Sequence, residues 1–221
     1  ILMKRIVTFL FLLLSVALFA QDLQQPVPKD PSVKIGTLPN GLTYYIKNNA
    51  YPKNSVELRL AINAGSILET DSQQGLAHFM EHMNFNGTKK FPKNELVSFL
   101  QSLGIEFGAD LNAYTSFDET VYMLPVPTDK EGNFEKGMDV IEDWAFNATL
   151  DGDEIDNERG VILEEKLART SADSRMWNRW LPKVFAGSKY ANRLPIGTDE
   201  NLKTFAHDEI RKFHNDWYRP N

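Results

Sequence analysis

Four histidines occur in the 221 residues, and two of them stand four apart in His78-Phe79-Met80-Glu81-His82. On a helix, residues at i and i+4 share a face one turn apart, so the two imidazoles can grip a single metal ion. Glu81 follows His78 by three residues and lies beside the same face. A carboxylate placed there can take a proton from a water activated by the metal. The chain has no cysteine, which excludes thiolate metal sites, cysteine nucleophiles and disulfides. Any metal must therefore be held by imidazoles and carboxylates. His207 and His214 read as exposed or capping groups of a polar C-terminal helix, so a carboxylate is the better third ligand.

The acidic stretch Glu158-Arg159-Gly160-Val161-Ile162-Leu163-Glu164-Glu165 supplies candidates. Glu158 and Glu165 are seven apart, two helical turns, and share a face with Val161 and Ile162 on or near it. A solvated helix does not require that alignment, but a Glu-rich helix is also ordinary. Spacing alone leaves Glu158 and Glu165 both open as the third ligand.

The elements that must position these groups follow from periodicity. Residues 33–38 and 42–47 are β-type runs around Pro39-Asn40-Gly41, a hairpin signal. Residues 56–64 alternate apolar and polar and predict a strand. A helix is predicted over 72–84, ended by Asn86-Gly87-Thr88, and a second amphipathic one over 92–103. Residues 105–116 and 120–126 read as two strands joined at 117–119. Helices are predicted at 134–148 and 153–168, around the Trp177–Phe185 region, and over 208–217, with a loop at 193–197. The order gives an α+β fold, a mainly antiparallel sheet packed against several helices.

Composition is that of a globular chain, with 42% hydrophobic and 24% charged residues. A net charge of −6 without Lys/Arg runs argues against nucleic acid as a partner. Residues 1–20 read as a secretory signal peptide: Lys4 and Arg5, then an apolar run, then Ala20 before a polar junction. The run is short for a bilayer span. The expectation is an exported protein, periplasmic or secreted, with no stable membrane anchor after cleavage. Residues 21–32, rich in Pro and Gln, form an extended leader.

Read together and in order, HFMEH, NAYTSFDETVY, ERGVILEE and WYRPN resemble the insulinase/pitrilysin family of zinc metallopeptidases, the inverzincins, whose HxxEH is the reverse of HExxH. The resemblance spans residues 33–221 and implies the family's N-terminal, zinc-bearing domain. It implies one zinc ion on His78, His82 and Glu165, with Glu158 supporting the site from behind and Glu81 as general base. It also implies that Asn112, Ala113, Tyr114 and Thr115 form an edge strand that pairs with an extended peptide substrate. Without the family, that segment is a plain strand with a core tyrosine. The implied activity is zinc-dependent endopeptidase action on peptides or small unfolded polypeptides. In the family, later domains or a partner subunit complete the site, so this segment reads as part of a longer enzyme. The alternative is a non-catalytic zinc-binding or scaffold subunit that needs a partner domain.

Overall fold

The computed structural model describes residues 26–93, 95–102 and 112–220. The predicted signal peptide, and residues 105–111 of the predicted fourth strand, lie outside the described residues. Among the described residues no helix is long and apolar enough to cross a membrane.

The chain divides into two units at residue 48. The described part of the first is a hairpin, β1 (Val33–Thr37) and β2 (Thr43–Lys47), paired antiparallel with Gly36 opposite Tyr44. The turn closes through Leu38 N–H to Leu42 O at 2.8 Å. Gly41 sits there at φ 95°, a conformation glycine adopts without steric penalty. The asparagine-glycine signal therefore marks a real turn.

The second unit holds a three-stranded antiparallel sheet in the order β3 (Ser55–Ile62), β5 (Thr120–Pro127), β4 (Asn112–Thr115). Val56, Leu58, Leu60 and Ile62 alternate along β3 and lie opposite Val126, Leu124, Tyr122 and Thr120 of β5. That period of two sends one face of the sheet into the core. The helices are α1 (Leu76–Met83), α2 (Glu95–Ser102), α3 (Asn133–Phe146), α4 (Gly152–Ala168), α5 (Ala172–Val184), α6 (Asp199–Thr204) and α7 (His207–Trp217). The architecture is α+β, as the pattern predicts. α1 begins four residues later than its periodicity suggests, because Asp71–Gln73 forms a separate 3-10 turn. α6 was not predicted: six residues are too few to show a period.

Seven of the eight α1 residues are buried, polar ones included. Leu76, Phe79, Met80 and Met83 join Leu60, Tyr122, Leu124, Trp144 and Ile162 in one core. Each large side chain removed from water there contributes about 1.5–3 kcal/mol. The C-terminal end of α1 is pinned to α3 by a reciprocal pair. Asn84 Nδ2 donates to Trp144 O, and Trp144 Nε1 donates to Asn84 O, both at 3.0 Å. α3 lies close on the sheet at Gly137, where a Cβ would come within 2.8 Å of Val126 Cγ2.

Candidate metal centre

Burial of α1 places its polar face inside the protein, where unpaired polar groups are costly. That face carries His78, Glu81 and His82. The two imidazole centroids are 4.7 Å apart with rings at 70°. Their Nε2 atoms converge on one oxygen, Glu165 Oε2, at 3.6 Å from His78 and 3.3 Å from His82. One ligand atom from each of His78, His82 and Glu165 lies within 4.8 Å of the others. Glu165 Oε2 is buried and has no hydrogen-bond partner.

The spacing of the trio suits a metal ion. Bonds of about 2.0–2.1 Å in tetrahedral array put neighbouring donor atoms roughly 3.3 Å apart. The separations to Glu165 Oε2 match that span. Burial, with His82 and Arg169 nearby, lowers the His78 pKa to about 3. His78 is therefore neutral at ordinary pH and keeps a lone pair for a cation. The donors suit a divalent ion of borderline softness.

α4 brings in both carboxylates of the acidic stretch. Its start is capped by Asp151, which accepts from Asp153 N and Glu154 N, and acidic residues there suit the helix dipole. Glu158 reaches the far side of His82: its Oε1 lies 2.7 Å from Nδ1. A carboxylate accepts, so Nδ1–H donates, and in the neutral ring Nε2 is left bare toward Glu165. Asn86 Nδ2 donates to Glu158 Oε2 at 2.7 Å. Burial works against the Glu158 charge, but the bonds from His82 and Asn86 outweigh it and hold its pKa below the usual range. At His82 burial likewise pulls down, while the Glu158 bond and the charges of Glu158, Glu165 and Glu81 lift the pKa overall. The Glu165 oxygen not facing the imidazoles pairs with Arg169, one turn on.

Glu81 is buried beside the trio. Thr115 Oγ1, on β4, donates to Glu81 Oε2 at 2.6 Å. Burial raises the Glu81 pKa, and the Thr115 bond and His82 act in the opposite sense. Thr115 is also opposite Thr120 in the ladder, whose hydroxyl donates to Ala64 O at 2.9 Å. Ala113 pairs with Tyr122 and is half-buried. Asn112 pairs with Met123 through the backbone; its side chain lies outside the described residues. Tyr114 is exposed and donates to Glu119 Oε1 at 2.7 Å, so it is not a core residue.

Three contacts escaped the sequence pattern. Asn86 lies three residues beyond the end of α1, where no helical period ties it to His82 or Glu158. Arg169 follows Glu165 by four at the end of α4, a helical spacing that could have revealed it. The Thr115 hydroxyl gave no local signal, because it meets Glu81 across 34 positions of chain. His214 corrects an expectation. It is 9% exposed, not a surface group, and stacks on Tyr218 with centroids 5.1 Å apart. Its helix is amphipathic and turns Ile210, Phe213 and His214 inward. His207 Nε2 is 2.9 Å from Asp156 Oδ1, away from the trio. Trp177 and Trp180 on α5 stand 45% and 55% exposed.

Residues 44–193 match the insulinase family, peptidase family M16. With the antiparallel α+β fold and the His-His-Glu cluster, the match defines a class: the chain belongs to this family of peptidases. It is 41% identical over 217 residues to "Probable zinc protease PqqL" of Haemophilus influenzae, covering 96% of this chain and 23% of that protein. It is 39% identical over 221 residues to "Probable zinc protease PqqL" of Escherichia coli, covering 100% of this chain and 24% of that protein. The crystal structure of the first half of the periplasmic protease PqqL from Escherichia coli superimposes with TM-score 0.84 at 41% identity, over 89% of this chain and 42% of that one. The chain thus spans about a quarter of the length of these curated relatives.

Proposed function

We propose that the chain is the N-terminal, zinc-bearing domain of a zinc metalloendopeptidase that hydrolyses peptides or small unfolded polypeptides. The observation that carries this is the convergence of His78 Nε2 and His82 Nε2 on the partnerless Glu165 Oε2, at 3.6 and 3.3 Å, with Glu81 beside it. His78, His82 and Glu165 hold one ion, and Glu158 fixes the His82 tautomer. A zinc ion bound there supplies Lewis acidity, polarising the scissile carbonyl and acidifying the attacking water.

The chain's own residues do the rest. Thr115 occupies Glu81 Oε2, which leaves Oε1 to take the proton from the water. Glu81 then passes that proton to the leaving amine nitrogen. Its raised pKa favours holding the proton between the two transfers. β4 pairs only with β5 among the described residues. An extended peptide adds to its other edge along residues 112–115, which sets the scissile bond beside Glu81.

Residues 1–20 act as a signal peptide, 21–32 as a leader and 33–221 as the peptidase domain of an exported protein, in keeping with the periplasmic E. coli relative. The relatives' greater length supports further domains, or a partner subunit, that complete the substrate site.

The test is Glu81→Gln in the complete protein. Zinc content by elemental analysis is expected to stay at one ion per chain, with chelator-sensitive cleavage reduced about 10²–10⁴-fold. Cleavage at the wild-type rate by the variant refutes the role of Glu81. A wild-type protein without zinc or chelator-sensitive activity refutes the enzyme and favours a scaffold.

A further inference from the structure

One buried carboxylate takes no part in the chemistry above. Glu69 is 0% exposed, and both its oxygens face the start of α1. Gly75 N–H donates to Oε2 at 3.0 Å and Ala77 N–H to Oε1 at 2.8 Å. A helix leaves its first N–H groups without internal partners. The N-cap residue of α1, Gly75, has no side chain with which to satisfy them. Glu69 does so from six and eight residues upstream, and the residue after Ala77 is His78.

Glu69 is itself held from a distant part of the chain. Its carbonyl accepts from Arg193 Nε at 3.2 Å, and Arg193 O accepts from Ser66 Oγ at 2.6 Å. The loop at 193–197 then touches α1 directly. A Cβ on Gly197, which has φ 72°, would lie 2.5 Å from Gly75 Cα. The same glycine reaches the other ligand-bearing helix: Lys166 Nζ donates to Gly197 O at 2.8 Å and pairs with Asp199 Oδ1 at 2.7 Å. Lys166 is the neighbour of Glu165. One loop therefore braces the first turn of α1 and the ligand-bearing turn of α4.

Burial pushes the Glu69 carboxyl up to about 8, against the pull of the two N–H donors and Arg193. Both oxygens keep a lone pair toward the helix in either protonation state, so the bracing does not depend on titration.

We propose that Glu69 and the 193–197 loop are a positioning clamp that sets the spacing of His78 and His82 against Glu165. The clamp rests on the assignment of those three as metal ligands. It touches neither metal nor substrate, and acts through the register of α1 against α4.

The experiment loads the full chain with cobalt(II) and reads its visible absorption, and measures zinc affinity by competition with a chelator. Glu69→Met keeps the side-chain length and removes both acceptors. It is expected to weaken zinc binding about 10–100-fold, as loss of supporting contacts around a metal typically does, and to alter the cobalt spectrum. Glu69→Gln retains one acceptor oxygen and is expected to fall between. A folded Glu69→Met with wild-type affinity and spectrum overturns the clamp, even if its melting temperature is lower.

Lys166→Met covers the case in which Glu69→Met does not fold, since Lys166 is partly exposed. Removing a cation beside a metal site tightens binding on electrostatic grounds alone. Weaker binding with a changed spectrum therefore supports the bridge, and unchanged or tighter binding overturns it. Failure of the wild-type chain to bind cobalt or zinc removes the ligand assignment, and the clamp with it.

Discussion

Replacing Thr115 by valine removes one oxygen and almost no volume. The lost contact is the 2.6 Å bond from Thr115 Oγ1 to Glu81 Oε2. A hydrogen bond to a charged group is worth about 1.5–3 kcal/mol. At 1.36 kcal/mol per tenfold change in rate, the loss is roughly 10–150-fold if the bond orients Glu81 fully in the transition state. The fall is expected in kcat, with KM little changed, because the hydroxyl is turned to the carboxylate and, in the proposed binding mode, the peptide pairs with the backbone. Steady-state kinetics on a fluorogenic peptide with the complete protein measure both. Thr115→Ser restores the donor and is expected to recover most of the rate. In the Glu81→Gln background, Thr115→Val is expected to add little, since groups acting as a unit are not additive. A valine variant within twofold of wild type, or one whose defect lies wholly in KM, refutes the orienting role.

Two further outcomes follow from the same geometry. Glu158→Gln removes the charge that holds His82 Nδ1–H, so zinc affinity measured by chelator competition is expected to drop about 10–100-fold, while unchanged affinity would separate Glu158 from the site. Burial depresses the His214 pKa in the fold, whereas the unfolded chain protonates this residue near its ordinary value of about 6.5. The unfolded state thus binds more protons below that value, and this part of the stability, present above pH 6.5, is lost as pH falls through 6.5 toward the folded pKa. Urea unfolding at pH 7.5 and 5.5 is expected to show a smaller loss in His214→Gln than in wild type. Equal losses would mean that His214 is not held neutral.

Local spacing settles a good deal in this chain. His78, Glu81 and His82 share a helical face because 3.6 residues make a turn, and no tertiary contact is needed to know it. The same arithmetic aligns Glu158 with Glu165, and the alternation of β3 sets its inward residues. The four quoted motifs carried the family as well, since their order along the chain is itself sequence information. The sequence could not say which carboxylate faces which nitrogen. Two turns of helix separate Glu158 from Glu165 without changing their face, so the choice falls to the docking of α4 on α1. In the fold, Glu158 meets Nδ1 of His82 and Glu165 meets the Nε2 atoms. The same holds for Thr115 on Glu81 and Glu69 on the start of α1. These contacts join residues whose positions in the chain carry no mutual period. His214 shows the limit from the other side: a polar residue in a polar helix is buried because α7 presents that face to the core. The side-chain types and their helical phase were fixed locally by covalent geometry. Their convergence on one point was decided by packing, which only the folded chain possesses.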